Sequence, residues 1–213
     1  MSFKKKQVKG EVIMSIITIG RQYGSDGRKI AQELAKRLGF AFYDKELIRL
    51  AAQESNIPYD ELAKADEKRA SIWAYPTQNE MITEDRWYYS VNDILYDTER
   101  KIIRAKAEKE DCVIVGRCAN RILADRKDCL SVFIYAPLEY RIKTVMERDY
   151  LNEKEAKALI RKMDKQRRYH YNYFTDRNWE DMDEYDFCLD SSKCSIERCA
   201  KVLESVYRSL REE

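Results

Sequence analysis

One stretch constrains this chain more than any other: Ser15-Ile16-Ile17-Thr18-Ile19-Gly20-Arg21-Gln22-Tyr23-Gly24-Ser25-Asp26-Gly27-Arg28-Lys29-Ile30. Ile16 to Ile19 is a short apolar, β-branched run and predicts a strand buried on both faces. Gly20, Gly24 and Gly27 break it into a loop. Beyond the loop, Ile30, Ala31, Leu34, Ala35 and Leu38 recur at helical spacing, and Gly39 suits the left-handed residue that closes a helix. Strand, glycine loop and helix in this order can turn successive backbone N–H groups and a helix N-terminus toward an anion. Arg28 and Lys29 set two cations at the mouth of that cradle. The stretch reads as a phosphate-binding loop, the alternative being an ordinary tight strand-to-helix turn.

The loop departs from the standard G-x-x-x-x-G-K-[ST] pattern. Gln22 stands where the first glycine belongs, Arg28 replaces the lysine, and Lys29 takes the place of the Mg²⁺-binding hydroxyl. Asp26 adds a carboxylate inside the loop, which must turn outward or pair, with Arg21 as one candidate partner.

Downstream, Phe40 to Asp44 predicts a second strand ending in an acid. Asp44 suits either the cap of the helix begun by Leu47 and Ile48 or a ligand role. Pro58 to Ala70 is charged and helix-prone. Ser71 to Trp87, with Trp73, Tyr75 and Pro76, predicts an irregular flap. A long helix follows over Tyr88 to Glu108, with Val91, Ile94, Leu95, Ile102 and Ala105 on one face. Cys112 to Gly116 predicts a third strand with Arg117 directly after it, then a short helix over Cys118 to Ala124. Leu130 to Ala136 is a fourth strand, and Pro137 opens the helix that carries Arg141 and Arg148. Glu153 to Tyr173 is a charged helix bearing Arg161, Lys162, Asp164, Lys165, Arg167 and Arg168, for which a solvated face is the plain explanation. Tyr185 to Ser191 predicts a fifth strand. Ser195 then caps a last helix that turns Ile196, Cys199, Val202, Leu203, Val206 and Leu210 to the sheet. Strands alternating with helices imply an α/β fold with a mostly parallel sheet, whose ligands bind at the strand C-termini. The glycine loop, Asp44 and Arg117 all fall at such ends.

Composition narrows the partners. The 213 residues fit one domain, with residues 1–14 a basic and disordered extension or the mark of a misplaced start, translation then beginning at Met14. Forty Lys and Arg against 38 Asp and Glu leave a net charge of +2, which disfavours nucleic acid held by bulk charge. No run of 18 apolar residues is present to span a membrane, and Met1 to Gly10 lacks the apolar core of a secretory signal. The six cysteines show no C-x-x-C spacing, which predicts reduced, mostly structural thiols and a cytoplasmic protein. The lone His170 has no Cys or acidic partner at metal-ligand spacing, so neither a metal site nor a catalytic histidine is read.

Several of these segments together resemble the cytidylate kinase-like family: Ile17 to Arg28, Tyr43-Asp44-Lys45-Glu46-Leu47-Ile48, Ile114-Val115-Gly116-Arg117-Cys118-Ala119-Asn120, Asp164-Lys165-Gln166-Arg167-Arg168-Tyr169 and Tyr185 to Leu189. The resemblance runs in order over nearly the whole chain from Ser15. It implies a P-loop nucleoside monophosphate kinase-like fold, with a five-stranded parallel sheet flanked by helices. It also implies an acceptor-binding insertion at about residues 45–90 and an arginine-bearing lid at about 152–180. ATP and Mg²⁺ are the implied cofactors, and CMP or dCMP the implied acceptor. By resemblance, Arg21, Gly24, Ser25, Asp26, Gly27, Arg28 and Lys29 hold the phosphates of ATP. Asp44, Arg117 and Lys165 face the acceptor, and Arg28, Arg161, Arg167 and Arg168 surround the transferring group. Arginine suits that task because its planar fork meets two phosphate oxygens at once. Two alternatives stay open: a nucleotide-binding regulatory module with impaired catalysis, and a kinase of the same fold acting on another small molecule.

Overall fold

The computed structural model describes residues 16–68 and 91–210. The basic extension, the aromatic flap and the start of the 88–108 helix lie outside these residues. Five strands, β1 (Ile16–Arg21), β2 (Ala41–Tyr43), β3 (Cys112–Val115), β4 (Cys129–Tyr135) and β5 (Phe187–Asp190), pair in the order β2-β3-β1-β4-β5. Every pairing is parallel. Among the described residues, eight α-helices connect or flank them: α1 (Gly27–Leu38), α2 (Glu46–Ser55), α3 (Tyr59–Lys68), α4 (Val91–Lys109), α5 (Ala119–Ile122), α6 (Leu138–Asp149), α7 (Glu153–Thr175) and α8 (Ile196–Ser209).

β1 lies at the centre, between β3 and β4, and this explains its unbroken apolar run. Its alternate residues serve opposite layers. Ile16 joins the core formed with α2 and α4, and Ile17 and Ile19 join the core formed with α1 and α8. The chain leaves β1 for β2 on one side and returns to β4 on the other, so the sheet has its switch point at the C-terminal end of β1. The phosphate-loop candidate begins there.

Gly39 closes α1 in the left-handed conformation, and the Ser195 hydroxyl accepts the Arg198 N–H at the start of α8, both as expected. Other expectations shift. Ala105 is exposed and the buried stripe of α4 is Leu95, Glu99, Ile102, Ile103 and Ala107, with a carboxylate inside it. Ala200 and Tyr207 replace the exposed Val202 and Leu210 on the buried face of α8. β5 starts at Phe187, because Tyr185 turns its hydroxyl to the Trp179 carbonyl and packs on Phe133. Cys112 lies buried in β3, and burial pushes its thiol up to about 12, which keeps it inert. No helix of the described residues is long and apolar enough to cross a membrane.

Candidate functional site

The turn from β1 into α1 is built by two left-handed residues, Gly24 at φ 82° and Asp26 at φ 53°. A Cβ at Gly24 would sit 2.9 Å from the Arg141 carbonyl oxygen, so both its conformation and its surroundings require glycine. Ser25 is fully buried, and its hydroxyl bonds to the Gln22 and Ile134 carbonyls at 2.9 and 3.2 Å. That side chain fastens the loop to β4, and the Ser25 N–H is itself taken by the Gln22 carbonyl at 3.4 Å, so Ser25, expected among the phosphate ligands, offers neither its hydroxyl nor its N–H. Past it, the N–H groups of Gly24, Asp26, Gly27, Arg28 and Lys29 meet no acceptor among the described residues. They form a row of open donors at the N-terminus of a 12-residue helix.

Around that row, cations and carboxylates are already matched. Asp26 pairs with Lys29 at 2.8 Å, not with Arg21. Asp44 does not cap α2, which begins without a side-chain cap. Its carboxylate instead takes the Arg28 Nε at 2.5 Å and lies 3.9 Å from Arg21. The Arg21 guanidinium fills the space that a Cβ at Gly116 would occupy, and Gly116 has φ 73°. Three strand ends therefore converge through Arg21, Asp44 and Gly116. Arg117, next in sequence, has a side chain only 8 % exposed, which pairs with the fully buried Glu99 of α4 at 3.1 Å. Arg117 carried a readable signal, whereas Glu99 looked like a solvated helix position and was missed.

α7 is where expectation and structure differ most. The sequence predicts a charged helix with a solvated face, and few aliphatic residues follow Met163 to hold it. Polar and aromatic groups anchor it instead. Asp164 and His170 are buried, Tyr171 bonds to Asn120 at 2.8 Å, and Phe174 stacks on Tyr96 at 4.1 Å. The helix opens with a capping box between Asn152 and Glu155. Arg167 donates to the Arg21 carbonyl at 2.8 Å and lies over the Tyr23 ring. Burial, then the neighbouring Arg21, pull the Arg167 guanidinium down to about 9. An anion bound beside them would offset the repulsion between these two cations. Arg168 turns to Glu180 at 2.6 Å and is not brought to the loop. Arg161 and Lys165 are exposed on α7 and pair with no carboxylate among the described residues.

A metal ion held by protein side chains does not fit here. Lys29 stands at the hydroxyl position, and Asp26, Asp44 and Asp164 are each engaged by a cation. Among the described residues, no group of three His, Cys, Asp or Glu side chains could hold a metal ion. Phosphates do fit, through the open N–H groups.

The model of the cytidylate kinase-like family matches residues 16–193. The chain belongs to this family. It is 25% identical to the cytidylate kinase of Methanopyrus kandleri over 94% of this chain and 96% of that one. To the cytidylate kinase of Pyrococcus abyssi it is 26% identical over 93% and 96%. Among solved structures, an uncharacterized protein from Eubacterium ventriosum matches with a TM-score of 0.67 and 30% identity, covering 91% of this chain and 98% of that one. Shikimate kinase from Bacteroides thetaiotaomicron matches with a TM-score of 0.54 at 12% identity over 91% and 98%, a likeness of fold alone. The parallel five-stranded sheet is thus the P-loop kinase sheet, and the family is one of kinases.

Proposed function

We propose that the chain transfers a phosphoryl group from ATP to a nucleoside monophosphate, with CMP or dCMP as the acceptor. The observation that carries this reading is the row of open N–H groups at Gly24 and Asp26 to Lys29, set beside Arg21, Arg28 and Arg167. ATP would supply the transferable phosphoryl group, its phosphates received by that row. Arg28 then exchanges Asp44 for a phosphate oxygen in the place of the missing lysine, and Asp44 is released toward the acceptor. Arg117, steadied by Glu99, lines the acceptor side at the end of β3. Arg161 and Lys165 are exposed cations of α7 with freedom to approach the reacting phosphate, whereas Arg168 reaches it only by leaving Glu180. Such a transfer needs placement and positive charge around the equatorial oxygens, and no protein nucleophile.

One observation favours a second reading, a module that binds nucleotide and turns it over poorly: Arg28 and Lys29 both already have carboxylate partners. A coupled ADP-release assay over a panel of nucleoside monophosphates and other small acceptors, with and without Mg²⁺, separates the two. Turnover with CMP or dCMP above the other acceptors is the expected result. ATP binding by calorimetry without turnover on any acceptor would leave the second reading standing.

A further inference from the structure

The peptide unit of Tyr23 is gripped by a buried ion pair from two helices far along the chain. Asp164 of α7 accepts the Tyr23 N–H at 2.7 Å with one oxygen and Arg141 Nη1 at 2.5 Å with the other. Arg141 of α6 also donates to the Tyr23 carbonyl at 3.3 Å and, through Nε, to the Ala136 carbonyl at 3.1 Å. Gln22 adds its side-chain oxygen, which accepts the Ala136 N–H at 3.2 Å. One turn beyond Asp164, Arg167 holds the Arg21 carbonyl. Backbone groups on both sides of the non-standard Gln22 are therefore satisfied by charged side chains from outside the loop.

A buried ion pair is a weak source of stability compared with apolar packing of the same volume, and its best-attested use is to specify one geometry. Here the pair directs its remaining hydrogen-bonding capacity at one peptide of the loop. We propose that Asp164 and Arg141 are positioning residues for the phosphate-binding loop, fixing from outside the Tyr23 peptide and, through it, the turn into Gly24. The same contacts tie the loop to α7, so the placement of Arg161 and Lys165 depends on the loop's conformation. The inference rests on the reading of the loop as a phosphate site.

The test is residue-resolved amide exchange on the full chain, together with ATP calorimetry, for wild type, Asp164→Ala and Asp164→Asn. Asp164→Ala is expected to speed exchange at Tyr23 and Ser25 by about tenfold or more while Leu203 in α8 keeps its rate. ATP affinity should fall by about tenfold or more through misplacement of the loop. Asp164→Asn retains an oxygen for the Tyr23 N–H and should fall between the two, and it carries the test if the alanine variant does not fold. Unchanged loop exchange in a folded variant, or an even rise over loop and α8 alike, overturns the proposal. Absence of ATP binding by wild type would instead defeat the phosphate reading, while the exchange comparison still decides whether the pair shapes the loop.

Discussion

The two halves of the β1–α1 loop are built on opposite plans. Across Arg21 to Tyr23, backbone groups are engaged by buried or half-buried charged side chains, Arg141, Asp164 and Arg167. From Gly24 to Lys29 the peptide donors are open, save that of Ser25, and the side-chain cations are half-exposed and held by single carboxylates. The first half is a mount and the second a receptor. An anion can be received by flexible cations, but a row of N–H groups binds well only if its backbone is already in place. A rigid first half lets the second remain unsatisfied without collapsing onto its own carbonyls.

Breaking the mount should have the largest consequence. Arg141→Met leaves the Asp164 carboxylate buried with the Tyr23 N–H and no guanidinium. The expected loss is about 3–5 kcal/mol of folding stability, the range for removing one partner of a buried pair. Urea unfolding with an unchanged slope would measure it. A loss below about 1 kcal/mol, the level of an exposed ion pair, would mean that the mount is not a desolvated site.

Much of the receptor was legible in the sequence and almost none of the mount. The β-branched run at Ile16–Ile19, the glycine spacing and the Gly39 cap carry local signals, and the sheet forms around them. Asp44 and Arg117 could be placed at strand ends because alternation of strand and helix fixes where strand ends meet. Asp164 was visible as one charge in a charged helix and as the start of a family-like segment, with no partner indicated, and Arg141 as one arginine of another helix. Their roles depend on a contact across 23 residues with each other and across 141 and 118 residues with Tyr23, which no local pattern encodes. The same holds for Glu99, fully buried on α4 because Arg117 awaits it there. The anchoring of α7 is hidden from the sequence for a related reason: His170, Tyr171 and Phe174 look like an exposed polar-aromatic run until Tyr96 and Asn120 are brought against them.

The receptor half can be probed through its competing carboxylate. Arg28 must leave Asp44 to reach a phosphate, so the two contacts offset one another. A hydrogen bond to a charged group contributes about 1.5–3 kcal/mol. With the Asp44 pair given up in exchange, Arg28→Ala should weaken ATP binding by only about 1 kcal/mol. Asp44→Asn should move the other way and tighten ATP, while weakening the acceptor. Calorimetry reads both signs. An ATP affinity unchanged by either substitution would remove Arg28 from the phosphate site and turn attention to Lys29.

The smallest effect is expected at Asp26, inside the receptor half of the loop. Its left-handed backbone costs a non-glycine residue about 1–2 kcal/mol, less for aspartate, which tolerates this region better than most. Glycine relieves that strain but raises the entropy of the unfolded chain. Asp26→Gly also gives up the pair with Lys29, a half-exposed residue whose contact contributes little. Stability should therefore rise by no more than about 1 kcal/mol. Because the carboxylate is turned to Lys29, its removal should shift ATP affinity by less than about 1 kcal/mol. A tightening well beyond that would show the carboxylate opposing the phosphates, so that part of the receptor's donor row would be masked by charge in the free protein. The division into a closed mount and an open receptor would then have to be redrawn at Asp26.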